Sequence, residues 1–205
     1  MFDSIVKSKT LEYFFKWCSD SNFFDEMNTC FHSVDNKTIN PFHLENSNWA
    51  HTMIVLKMIE DGHCEDDNII RAISAISHDF GKVETRNEHR PGRISFFGHE
   101  KASVQPTVDF LYFLKDNNYF SENNNFEYIF KNVVYCVCYH LEIYKIEKNK
   151  ISAFLNYDEN LKQNLLALMY ADRNGQFLSV ERITNPNFSD NDDDDIFEFI
   201  KNLKF

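Results

Sequence analysis

The sequence predicts an all-α protein. Glycine (5) and proline (4) are scarce in 205 residues, and apolar residues recur at spacings of three and four, the period that puts them on one side of a helix. Glycines also stand where such periodic runs end, as helix C-termini favour.

A first helix fits residues 3–19, with Leu11, Phe14, Phe15 and Cys18 on one face. A second fits residues 45–60 through Trp49, Met53, Leu56 and Ile59, and Gly62 closes it. The third, residues 67–79, carries Ile69, Ile70, Ile73 and Ile76 and stops before Gly81, which leaves a His-Asp pair at a helix end. Residues 83–98 read as a polar loop with a turn at Pro91-Gly92 and a short extended piece in ISFF. Further helices are expected at residues 99–115, 126–139 and 157–174, the last closed by Gly175. The tail reads as an acidic cap, Asp190 to Asp195, followed by an amphipathic helix with Ile196, Phe199, Ile200 and Leu203 inward. Neither a repeat nor a linker is evident, so the expectation is one domain over 1–205 with a motif-bearing core at about 45–175 and the cap and helix at 190–205.

Composition narrows the function classes. The formal net charge is -11, so the chain lacks the broad positive field that drives binding to extended duplex nucleic acid. A polyanionic substrate then has to be held locally, by a metal or a few placed cations. Charged residues interrupt the apolar ones near the N-terminus, and no stretch reaches the roughly 20 apolar residues of a membrane span. Five cysteines without a CxxC pair suit reduced thiols. The expected setting is soluble and cytoplasmic, with no membrane partner.

The chemistry-bearing residues gather at helix ends. His51 lies early in the second helix, His78 and Asp79 at the end of the third, His99 at the start of the next, His140 after the following one, and Asp172 near the end of another. Imidazole nitrogen together with carboxylate oxygen suits Mn, Fe, Ni or Zn better than Mg alone. Neighbours in sequence cannot share a helical face, so His78 and Asp79 serve one site only if the helix is ending there. A lone histidine is more often a surface or satisfied core residue, and His32, His43 and His63, which lack partner spacing, are read that way.

The order H, HD, H, H, D, with SHDFGKVETR (77–86), GRISFFGHEKAS (92–103) and YADRNG (170–175), resembles the HD-domain metal-dependent phosphohydrolases. It is most similar to the HD domain attached to bacterial CCA-adding tRNA nucleotidyltransferases. The resemblance implies an HD-domain helical bundle in which His51, His78, Asp79 and Asp172 bind one divalent transition metal, Mn, Ni, Co or Fe. His99 and His140 extend the site in members holding two ions, with Asp79 bridging. The roughly 45 residues ahead of His51 carry no carboxylate pattern for nucleotidyl transfer, so CCA addition is not expected. What remains is hydrolysis of a phosphomonoester or 2',3'-cyclic phosphodiester on a nucleotide or RNA terminus.

A metal held by neutral imidazole and carboxylate lowers the pKa of a bound water from 15.7 to about 7 and polarises a phosphoryl oxygen. Asp79 would orient that water and accept its proton, and His99 or solvent would protonate the leaving group. In the resemblance Lys82, of HDFGK, faces the substrate phosphate. Arg86, in a basic loop with His89, Arg90 and Arg93, and Arg173, beside Asp172, are the other expected substrate contacts; either could instead pair with a nearby carboxylate. Six ligands in this order also suit a di-iron oxygenase, and a catalytically idle module binding nucleotides or RNA ends is the remaining alternative. Cys136, Cys138 and His140 offer a thiolate-imidazole cluster, although cysteines within YCVCY read as core.

Overall fold

A computed structural model describes residues 5–35, 44–45, 47–142 and 158–175. The protein is all-α, with one small hairpin among the described residues. Helix α1 (Ile5–Cys18) buries Thr10, Leu11, Phe14 and Cys18. Phe15, expected on the same face, is instead half-exposed, because a step of one residue turns a helical side chain by about 100°. Phe14 stacks on Trp49 with ring centroids 5.1 Å apart and also meets Phe80 and Phe110. A short helix, α2 (Phe23–Thr29), follows; two adjacent aromatics and an acidic pair give it no clear periodicity in the sequence, and only Met27 is buried.

Helix α3 (Asn48–Met58) starts at Ser47, whose hydroxyl accepts from the Ala50 amide at 2.9 Å. It turns Asn48, His51, Thr52, Val55 and Leu56 inward, a more polar face than its apolar residues suggest. Helix α4 (Glu65–Ser77) is the central element. Three carboxylates in its first turn complement the helix dipole, Ile69, Ile70, Ile73 and Ile76 are all buried, and α1 and α3 pack against it.

The segment expected to be a loop holds a short helix, α5 (Lys82–Thr85), and an antiparallel hairpin of β1 (Asn87–Arg90) and β2 (Arg93–Ser95), in which Asn87 pairs with Ser95 and Glu88 with Ile94. Gly92 joins the strands with φ +75°, a conformation that glycine after Pro91 adopts without strain. The helix expected over 99–115 is divided by Ser103 into α6 (His99–Ala102) and α7 (Val104–Asp116). Helix α8 (Phe126–Tyr139) begins at Asn125, and α9 (Glu159–Asn174) at Asp158, whose carboxylate accepts from the Asn160 and Leu161 amides. Both pack on α4. The acidic cap and helix expected at 190–205, and His43, lie outside the described residues. No helix among those described is long and apolar enough to cross a membrane.

Candidate metal centre

Five helix ends converge beneath the hairpin. Helix α4 finishes at Ser77, so His78 caps it and Asp79 stands in the following turn, which lets two successive residues face one point. His51 comes from the first turns of α3, His99 opens α6, His140 caps α8 and Asp172 lies in the last turn of α9. All six are buried.

The turn carrying His78 and Asp79 is braced from both sides. Ser103 donates its hydroxyl to the His78 carbonyl at 2.7 Å and accepts from the Gly81 amide at 2.8 Å. The Asn48 amide donates to the Asp79 carbonyl at 3.0 Å. A methyl group on Gly81 would stand 2.4 Å from the His99 carbonyl oxygen and 2.5 Å from the Ser103 nitrogen. Gly81 therefore does more than end a helix: it lets α6 approach the turn closely enough to bring His99 in.

Asp79 is the centre of the cluster, and its two oxygens face different partners. Oδ2 lies 3.3 Å from His78 Nε2 and 3.6 Å from His51 Nε2. Oδ1 lies 3.1 Å from His99 Nε2 and 4.0 Å from His140 Nε2. On the Oδ2 side, Asp172 Oδ1 is 2.9 Å from His51 Nε2 and 3.7 Å from His78 Nε2. Two groups thus share one carboxylate: His51, His78 and Asp79, and Asp79, His99 and His140, the ligand atoms in each lying within 4.8 Å of one another.

Three imidazoles are oriented alike. Nδ1 of His78, His99 and His140 approaches the carbonyl three residues earlier, Ala75, Phe96 and Val137, at 2.9, 2.8 and 2.7 Å. A carbonyl only accepts, so each Nδ1 is the donor and each ring turns its Nε2 into the cluster, as a lone pair once that nitrogen is deprotonated. Nε2 of His78 and of His140 is buried without a hydrogen-bond partner there. Facing nitrogens and carboxylates repel unless a proton or a metal cation lies among them. The shorter spacings, 2.9, 3.1 and 3.3 Å, also fit a metal ion, since ligand atoms bound at about 2.1 Å stand roughly 3.0–3.4 Å apart in octahedral or tetrahedral geometry. The cluster therefore has the donor set, orientation and spacing to hold a metal ion.

The titration behaviour agrees with a site built around positive charge. Burial works against charge on His78, but Asp79 and Asp172 outweigh it and hold its pKa up at about 10. Burial likewise opposes ionisation of Asp79 and Asp172, yet His78 with Lys82 for the first, and His51 with His78 for the second, keep both carboxyls well below their ordinary range. His140 behaves oppositely: burial, reinforced by the charges of His78 and His99, pushes it down to about 3.

Lys82 is buried, with its ammonium 2.6 Å from Asp79 Oδ2 and within 5.1 and 5.6 Å of the Phe31 and Phe96 ring centres. It lines, with Asp79, His99 and Asp172, a cavity of about 580 Å³. Arg86 has a different placement from the one expected. Its guanidinium donates to the Cys30 and His32 carbonyls at 2.9 and 2.6 Å and to Glu88 at 2.8 Å, which ties the hairpin to the segment after α2. These acceptors satisfy it away from the cavity, which the hairpin lines instead with Arg93 and the His89 imidazole. Arg173 is half-buried at the end of α9 and is not among the cavity's lining residues.

Asn48 and Ser103 escaped the sequence reading. Asn48 lies three residues before His51 and Ser103 four after His99, so each shares a helical face with a histidine of the cluster, a signal available from spacing alone. Of the thiolate-imidazole cluster, Cys136 is a buried free thiol whose burial pushes its pKa up to about 12, and His140 Nδ1 is held by the Val137 carbonyl. His63 is exposed and meets Gln163. Comparison of the chain with family models, curated proteins and solved structures returned no match.

Proposed function

We propose that the protein is an HD-type, metal-dependent phosphohydrolase that cleaves a phosphomonoester or 2',3'-cyclic phosphodiester of a nucleotide or RNA terminus. The observation that carries this reading is Lys82, a buried ammonium placed against Asp79 at the edge of the cavity. A cation beside a carboxylate-imidazole cluster serves an anionic substrate, and it has no evident use in activating oxygen, so it favours phosphate chemistry over a di-iron oxygenase.

His51, His78, Asp79 and Asp172 would hold one divalent transition metal, and Asp79, His99 and His140 a second. When bound, such a metal supplies Lewis acidity and an acidified water. Asp79 orients the attacking water and takes up its proton as the new P–O bond forms. Lys82 neutralises charge on the phosphoryl oxygens, an effect strongest where water is excluded. A solvent molecule, or His99 where its Nε2 carries a proton and no second metal, returns a proton to the leaving oxygen as the scissile P–O bond breaks. Water and a monoester become phosphate and alcohol, and water and a 2',3'-cyclic diester become a ribose monophosphate with one freed hydroxyl, with one proton passed across in each.

The test is a matrix of metals (Mn, Ni, Co, Fe) against 2',3'-cyclic nucleotides, 2'-, 3'- and 5'-nucleotides, nucleoside triphosphates and RNA ends. The expected outcome is hydrolysis of at least one substrate, abolished in the His78→Ala/Asp79→Ala double variant. Uniform inactivity of metal-loaded wild type would contradict it, and tight nucleotide binding without turnover would point to a binding module.

A further inference from the structure

The cavity is larger than its catalytic end requires. About 580 Å³ is within the range of small-molecule sites, roughly 300–1,000 Å³, and far more than a bare phosphate fills. Its far side is the hairpin, which contributes His89, Arg93 and, just beyond β2, Phe97. Phe97 is 86% exposed. A single exposed phenylalanine on a convex surface is unremarkable, but this one borders a concavity whose apolar lining continues through Phe96 and Leu141. Arg93 makes no ion pair among the described residues, and the His89 ring meets only a neutral partner there, Ser95 Oγ at 2.9 Å. On a chain of net charge -11, Arg93 brings to the cavity a second cation beyond the one at Asp79, with the His89 imidazole on the same hairpin.

The hairpin is also held in place, as a specificity wall has to be. Glu88 accepts from Ser33 Oγ at 2.6 Å and from the Val34 and Gly92 amides at 2.9 and 3.1 Å, and Arg86 anchors the same carboxylate. The side chains facing the cavity are thereby displayed from a fixed edge, not from a free loop.

Resting on the hydrolytic reading above, we propose that His89, Arg93 and Phe97 form a second subsite, which selects a nucleotide carrying phosphate on both sides of its ribose. One phosphate lies at Lys82 and Asp79, the base stacks on Phe97, and the other phosphate meets Arg93 and His89. The same chemistry occurs in a free nucleoside 3',5'-bisphosphate and in the terminal nucleotide of an RNA that ends in a 3'-phosphate.

The test is calorimetric binding to the full chain stripped of metal, with turnover of the same probes measured separately on the Mn-loaded chain. The probes are ribose 5-phosphate, adenosine 3'-monophosphate, adenosine 3',5'-bisphosphate and a diadenosine dinucleotide ending in 3'-phosphate. The bisphosphate is expected to bind at least tenfold more tightly than the monophosphate, with an advantage that shrinks as salt rises. The His89→Ala/Arg93→Ala variant should bring the two within about twofold. Phe97→Ala should weaken adenosine monophosphate about tenfold while changing ribose 5-phosphate little. A dinucleotide that binds as tightly as the bisphosphate assigns the subsite to RNA ends, and one that binds more weakly assigns it to the free nucleotide. Equal affinities for mono- and bisphosphate, or preferences that survive in variants with wild-type circular dichroism, would overturn the subsite. The stated binding order with no turnover under Mn would overturn the hydrolytic reading and leave the subsite standing.

Discussion

The Ser103 hydroxyl donates to the carbonyl of His78 at 2.7 Å, linking the start of α7 to the turn that presents His78 and Asp79. The same oxygen accepts from the Gly81 amide, so one buried hydroxyl satisfies two backbone groups. Ser103→Ala leaves both without this partner, at a cost of about 1–3 kcal/mol for each buried group. We expect a lower urea midpoint and, because the turn orients two ligands, metal affinity reduced about 10–100-fold. A metal titration showing wild-type affinity in this variant would mean that Asn48 alone holds the turn.

Lys82 separates binding of metal from use of it. Lys82→Met keeps the stem packed near Phe31 and Phe96 and removes the charge 2.6 Å from Asp79. Metal content per chain should be retained, while kcat/KM for a phosphate ester falls about 10²–10³-fold. Comparable activity in the variant, measured at matched metal loading, would remove Lys82 from the reaction.

The metal-free chain should have a characteristic pH profile. His140 has a pKa of about 3 folded and 6.5 as its ordinary value, so between these limits the unfolded chain binds the extra proton and stability falls as pH drops. His78, raised from 6.5 to about 10, contributes fully below pH 6.5 and loses its contribution as pH rises towards 10. Urea midpoints should therefore decline on both sides of a maximum near pH 6.5–7, and His140→Asn should flatten the slope between pH 6.5 and 4.5, before carboxylates titrate. Metal binding at pH 7 should also displace about one proton, that of His78, readable from calorimetry in buffers of different ionisation enthalpy.

Glu88 makes the hairpin acid-sensitive over a lower range. Its hydrogen bond from Ser33, followed by those from Arg86, Val34 and Gly92, lowers its pKa from 4.5 to about 2. The contribution is present above pH 4.5 and disappears as pH falls through 2. Amide exchange in β1 and β2 should accelerate across that window in wild type, and Glu88→Gln should exchange fast already at neutral pH.

Much of this was legible in the sequence, for identifiable reasons. Helix α8 spans the residues expected of it because a regular apolar period and an Asn cap agree. The meeting of His51, His78, Asp79, His99, His140 and Asp172 was legible because each stands at an element end. The hairpin was legible only in part: the Pro91-Gly92 turn and an extended piece overlapping β2 were expected, but its strands are four and three residues long and mostly exposed, so alternation carries no signal of their pairing. Arg86 was misplaced because its role depends on carbonyls of residues 30 and 32, more than 50 positions away in the chain. Ser103 and Asn48 support the site through backbone groups, and spacing shows their face but not their partners.

The central claim is that the six-residue cluster binds metal. Elemental analysis of the full chain, stripped and then reloaded with Mn, Fe, Co or Ni, addresses it without assuming a substrate. At least one tightly held ion is expected per wild-type chain, and near none in the folded His78→Ala/Asp79→Ala variant. Wild-type chain that retains no ion after reloading, or a double variant that retains as much as wild type, would contradict it.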